Sequence, residues 1–173
     1  MKKLIATTVS IVTLFAAMPS AAAPITQAEL DPMTDVTTHY VSFKSFEKTS
    51  ILGVDKQPAE LIYRCDNTNE DYELFVYVND YIGDGGSAAV RFDKGAALPS
   101  HVRTSNNGKA LFFTEYGSDE TWKKSEVLEN MKTANKVLVQ VNDFRGVNIG
   151  VFTFDMTGSA KALADAEKAC ELK

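Results

Sequence analysis

The chain has 173 residues, in which 18 Lys and Arg face 23 Asp and Glu, with only two cysteines and two histidines. An acidic chain without a basic cluster lacks the Lys/Arg face that phosphate neutralisation needs, which argues against nucleic acid as a partner and against anionic lipid as a docking surface. The length suits one domain with a core of its own.

At the start, Lys2 and Lys3 precede an apolar run over residues 4–17 and the small residues Ser20, Ala21 and Ala22. This is the layout of a secretory signal peptide, too short and wrongly flanked for a membrane span. Cleavage is expected after Ala22, leaving residues 23–173 as a periplasmic or secreted chain with no membrane insertion. That chain holds 16 basic and 23 acidic residues, a formal charge of −7, which favours solubility.

Residues 23–35 are polar and proline-flanked and are expected to form a loose leader. Within it Asp31 to Asp35 have turn chemistry, because Pro32 fixes its backbone angle and both Asp side chains can bond nearby amides. Residues 36–43, rich in Thr, Val, Tyr and Phe, read as the first strand, which residues 42–50 could continue past a bulge. Residues 53–59 read as a loop and 61–65 as the next strand. A polar turn over 66–71 leads into a strand over 72–78, where Leu74, Val76 and Val78 share one face and Phe75 and Tyr77 the other. With both faces apolar, this strand is expected to be central and covered on both sides.

Residues 79–86 are irregular, and Gly83, Asp84, Gly85 and Gly86 predict a mobile loop. Its acids lack the alternation of oxygen ligands and the closing Glu of a calcium loop, so no metal is expected there. Residues 88–93 are strand-like, Lys94 and Gly95 turn the chain, and 102–104 are extended. Asn106, Asn107 and Gly108 supply a hairpin turn before a strand over 110–114.

Over residues 117–135 the period changes. Trp122, Val127, Leu128 and Met131 recur at helical spacing, Ser118 or Thr121 can cap the start, and Asp119 and Glu120 suit the positive end of the helix dipole. A last hairpin, strands 137–141 and 147–154, turns through residues 143–146. Gly158 breaks the chain and Ser159 can cap a final helix that aligns Leu163, Ala166 and Cys170. Seven or eight mostly antiparallel strands and two segregated helices make a single α+β domain. The pattern is compatible with an open sheet and with a closed barrel.

In an oxidising compartment two cysteines pair by default, so Cys65 and Cys170 are expected to form a disulfide. Closing a loop of this length stabilises by about 4–5 kcal/mol in the chain-entropy picture. His39 and His101 are far apart and lack neighbours at ligand spacing or beside a nucleophile. The chain carries no Gly-x-Ser-x-Gly, His-Glu-x-x-His or phosphate loop. No cofactor, metal or catalytic residue is assigned. Arg91 and Asp93 flank Phe92, and on a strand both point away from it, as a surface ion pair or a candidate binding face. Trp122 is either core packing or an exposed binding anchor.

The motif order resembles the small periplasmic proteins associated with type VI secretion clusters (VasI/TagO type). The residues that carry the likeness are Asp31 to Asp35, Leu61-Ile-Tyr-Arg-Cys65, Val90-Arg-Phe-Asp93, Lys109-Ala-Leu-Phe112, and Phe152 to Gly158 with the helix ending at Cys170. The chain departs from that family in having no Trp near the start of the domain and none after Cys170. The resemblance implies a non-enzymatic accessory module that binds another envelope protein. The alternative expectation is an inhibitor of an envelope enzyme such as a lysozyme, or a phage-encoded exclusion factor. An acidic protein suits a basic lysozyme through electrostatic steering, with the Gly83–Gly86 loop entering the cleft.

Overall fold

A computed structural model describes residues 23–49, 57–68, 71–116 and 121–170; the expected signal peptide and Ser118 lie outside them. In chain order the described elements are β1 (Ile25–Asp31), β2 (Val36–Thr49), β3 (Gln57–Asp66), β4 (Tyr72–Tyr77), β5 (Ser87–Phe92), β6 (Leu98–Ser100), β7 (Val102–Thr104), β8 (Ala110–Phe113), α1 (Lys124–Thr133), β9 (Lys136–Asn142), β10 (Asn148–Asp155) and α2 (Ser159–Ala169). The paired strands are antiparallel, in the order β6-β5-β9-β10-β2-β3-β4-β8-β7, with β1 added beside β2. The fold is α+β, as expected, and has ten described strands rather than seven or eight.

β6 and β7 end this order on opposite sides, yet His101 alone separates them in the chain. One extended segment, 98–104, thus pairs with β5 through its first half and β8 through its second, and the sheet wraps back onto itself. The other corner lies in β2. Its register against β3 shifts between Lys44 and Lys48, and Ser45 is where it meets Phe154 of β10. A bulge disturbs the ladder and bends the strand. Buried Ser45 repairs the loss, since its hydroxyl donates to the Glu47 carbonyl at 2.6 Å and accepts from the Ala59 amide at 2.9 Å.

The core follows the period-2 pattern of each strand. Val41, Phe43, Leu61, Tyr63, Leu74, Val76, Val139, Val141, Phe152 and Phe154 are buried, and Val127, Leu128 and Met131 of α1 and Leu163 and Ala166 of α2 join them. Cys65 and Cys170 form the expected disulfide, with Cα atoms 6.1 Å apart, and so tie α2 to β3.

Four local expectations change. Residues 25–31 are no loose leader but a strand in seven-pair register with β2; the Asp31 turn that joins the two is as expected, with the Met33 amide donating to Oδ1 at 2.8 Å and Asp35 at φ 56°. The expected loop over 53–59 is strand from Gln57, while residues 50–56 lie outside the described part. The helix begins at Lys124, after Trp122, and Glu126 accepts from the Lys123 amide at 3.0 Å where Ser118 or Thr121 had been expected to cap. Ser159 does not cap α2; Gly158 at φ 83° makes the turn, and the Ser159 hydroxyl donates to the Met131 carbonyl at 2.6 Å, linking the two helices.

Candidate binding surface

At one end of the wrapped sheet three turns meet: 78–86 after β4, 105–109 between β7 and β8, and 143–147 between β9 and β10. Fully buried Ile82 joins them, its amide donating to the Gly108 carbonyl at 2.6 Å and its carbonyl accepting from the Phe144 amide at 2.9 Å. The 105–109 turn is held by Ser105, whose hydroxyl accepts from the Lys109 and Ala110 amides. The 143–147 turn is built on buried Asp143, which accepts from the Arg145 and Val147 amides and takes the Arg145 guanidinium at 2.7 and 2.9 Å. Burial works to raise this carboxyl, but the Arg145 bonds and the Val147 amide outweigh it and hold it below the ordinary range.

On this frame sit Tyr81, Phe144 and Val147, which are 66%, 53% and 55% exposed. The phenol of Tyr81 lies over Gly108 and the ring of Phe144 over Gly83, each so close that an added Cβ would come within 2.4 Å of a ring carbon. Both glycines also have positive φ, 66° and 76°, where other residues are strained. Arg145 covers Phe144 with its guanidinium 5.4 Å from the ring centre. The result is an aromatic surface open to solvent and seated on backbone. The candidate loop Gly83, Asp84, Gly85 and Gly86 is part of it, but Gly83 and Gly86 are buried and Asp84 and Gly85 form its exposed tip. A Cβ at Gly86 would meet Ile82 at 2.2 Å. The expectation of a free loop gives way to a packed one.

A second surface, this one charged, lies on the outer face of β3, β4, β7 and β8. Phe75 and Phe112 stack at 4.6 Å, Arg64 stands 5.7 Å above the first ring and Arg103 4.5 Å above the second, and Glu73 pairs with both arginines. The outer face of β4 is thus only partly covered: Phe75 is buried beneath Phe112 and Arg64, while Glu73 and Tyr77 stay half-exposed, so the expectation of cover on both sides holds for the inner face alone. Beside it an open groove of about 730 Å³ is lined by Thr38, Tyr40, Arg64, Asp66, Asp71 and Glu73. Asp71 receives buried Lys124 at 2.7 Å, and that bond holds its carboxyl low; the same ammonium lies 4.4 Å over the Tyr72 ring.

Of the candidate pair Arg91 and Asp93, the second leaves the strand alternation. Arg91 is exposed on β5, but the strand ends at Phe92 and Asp93 takes φ 47°, which breaks the alternation that had put both residues on one side. The Asp93 carboxylate accepts from the Lys136 amide at 2.9 Å and the Asn135 amide at 3.1 Å, so it anchors the junction of β5 with β9. Trp122 is half-buried, edge-on to Phe92 at 5.2 Å, and its indole N–H donates to the Val90 carbonyl at 3.1 Å. That is packing, not an exposed anchor. His39 lies opposite Cys65 in the β2–β3 register, and the His101 carbonyl accepts from Thr114 at the β6–β7 junction.

No protein-family profile, curated protein or solved structure matches this chain. Tyr81, Phe144 and Val147 had not been singled out from the sequence. The available signal was each aromatic's place within two residues of a turn glycine or turn aspartate. The facing glycine of another loop, which holds each ring in place, is separated from it by 27 residues for Tyr81 and 61 for Phe144.

Proposed function

We propose that the exported chain is a non-enzymatic accessory module that binds another envelope protein through its loop end, with type VI secretion components as the first partner class to test. One observation carries this: Tyr81 and Phe144 are exposed yet packed closely against Gly108 and Gly83. Aromatic side chains already fixed in place lose little conformational freedom on binding, and aromatics and Arg dominate the energetic centres of protein interfaces. Arg145, positioned by Asp143 beside Phe144, adds a cation to the same patch. The disulfide, which links β3 to α2 across 105 residues, suits an oxidising compartment.

The test is a crosslinked pull-down of the tagged protein from periplasm, followed by mass spectrometry, with the Tyr81→Ala/Phe144→Ala double variant alongside. Capture of secretion-apparatus or peptidoglycan-associated proteins, lost in the folded double variant, supports this function. Equal capture by the variant removes the loop end as the surface. Capture of a single basic hydrolase, with inhibition of its activity, replaces the accessory role by that of an inhibitor.

A further inference from the structure

β1 presents a surface of another kind, a backbone edge rather than a set of side chains. Among the described residues it pairs with β2 alone, and all seven of its residues are exposed. Edge strands of soluble proteins are usually blunted by Lys, Pro, a bulge or an inward charge. Residues 25–31, Ile-Thr-Gln-Ala-Glu-Leu-Asp, contain no Lys or Pro, and their register with β2 runs without a shift. Pro24 and Pro32 bracket the strand, so neither interrupts its seven residues.

We propose that β1 pairs antiparallel with β1 of a second copy of this chain, about a two-fold axis through Ala28. The side chains decide the occupant and the register. Because a strand alternates with period two, a symmetric pairing must keep like faces together, which permits only registers centred on a residue. Centring on Ala28 pairs all seven residues: Ala28 meets Ala28, Gln27 meets Glu29, Thr26 meets Leu30 and Ile25 meets Asp31. Neither acid then opposes an acid. Centring on Glu29 would set two carboxylates face to face, which destabilises a cross-strand pair, and centring on Gln27 would leave Leu30 and Asp31 unpaired. Leu30, 59% exposed in the single copy, gains a neighbour on the Thr26 side. Gln27 and Glu29 lie opposite Tyr40 and Thr38, so both point to the same face of the sheet and can meet across the axis.

Sedimentation equilibrium of the exported chain, from micromolar to millimolar, tests this with a pair of opposite charge changes. Gln27→Lys places an ammonium against Glu29 twice per dimer and should tighten self-association on the order of fivefold; Gln27→Glu should loosen it by a similar factor. The same changes at exposed Asn106, in the turn between β7 and β8, control for net charge and should leave the dimer constant within about twofold. A chain that stays monomeric at millimolar concentration overturns the proposal. So does a dimer indifferent to both Gln27 changes, or one that follows the Asn106 changes equally. Because residue 27 is exposed, circular dichroism of all four variants should match the parent.

Discussion

β1 and β3 flank the same strand and are held in opposite ways. β3 pairs with β2 and β4, buries every second side chain from Ala59 to Cys65, and is tied to α2 by a disulfide. β1 has a full ladder on one side and no buried side chain. The difference shows that backbone pairing makes a strand, while core residues make it resistant to opening; local opening free energies rank by buried contacts and not by hydrogen bonds alone.

The largest way to break the contrast is to remove the covalent tie. A Cys65→Ala/Cys170→Ala variant should lose about 4–5 kcal/mol of unfolding free energy, less any residual structure in the unfolded chain, as read by chemical denaturation. A smaller loss is expected at the β2 corner. Ser45→Ala leaves the buried Ala59 amide without its acceptor, at a cost of about 1–3 kcal/mol.

Gly83→Ala should cost about 1–2 kcal/mol through its positive φ alone, and the new methyl must displace the Phe144 ring. Binding at the loop end should weaken with it, so a variant that loses stability but keeps full partner capture would uncouple ring seating from recognition. Leu30→Ala should change stability by less than about 0.5 kcal/mol, because the residue is exposed. Hydrogen exchange should sharpen the same point, with amides of 25–31 exchanging well ahead of those of 59–65; equal protection would mean that β1 opens only with the whole domain.

The smallest effect is in acid. Asp31 is held low by the Met33 amide and the Thr34 hydroxyl, Asp71 by Lys124, and Asp143 by Arg145 and local amides against the opposing effect of burial. A carboxyl with a folded pKa below its unfolded value stabilises above the unfolded value, about 3.9, and loses that contribution as pH falls through the folded one. Unfolding free energy should therefore be flat in these groups above about pH 5 and decline below about pH 4. Asp31→Asn should remove part of the decline by acting on the β1–β2 turn alone.

Much of the fold is legible in particular residues. Leu61 to Cys65, Leu74 to Val78 and Phe152 to Phe154 alternate or run apolar because they pack a core, and a local pattern records that. The turns at 31–35, 105–109 and 143–147 are legible too, since Asp, Ser and Gly serve the backbone within a few positions of themselves. β1 was not legible: its polar sequence carries no burial signal, and it is a strand because β2 offers it an edge. Trp122 fits a helical period with Val127 and Met131, yet the Val90 carbonyl and the Phe92 edge hold it before the helix starts. Asp93 fits a strand alternation that its own positive φ ends one residue early.

By itself the sequence determined the class of fold, the elements with a buried face, the hairpin turns and the pair of cysteines that would join, because each depends on the chemistry of residues near in the chain or on there being only one possible partner. Tertiary structure alone decided the closure of the sheet through the 98–104 segment, the seating of Tyr81 and Phe144 on glycines of other loops, the anchoring of Asp93 at the β5–β9 junction, and the place of β1 beside β2 with no second strand partner among the described residues. These depend on which distant backbones approach one another, and a pattern with a period of two or 3.6 residues carries no record of that.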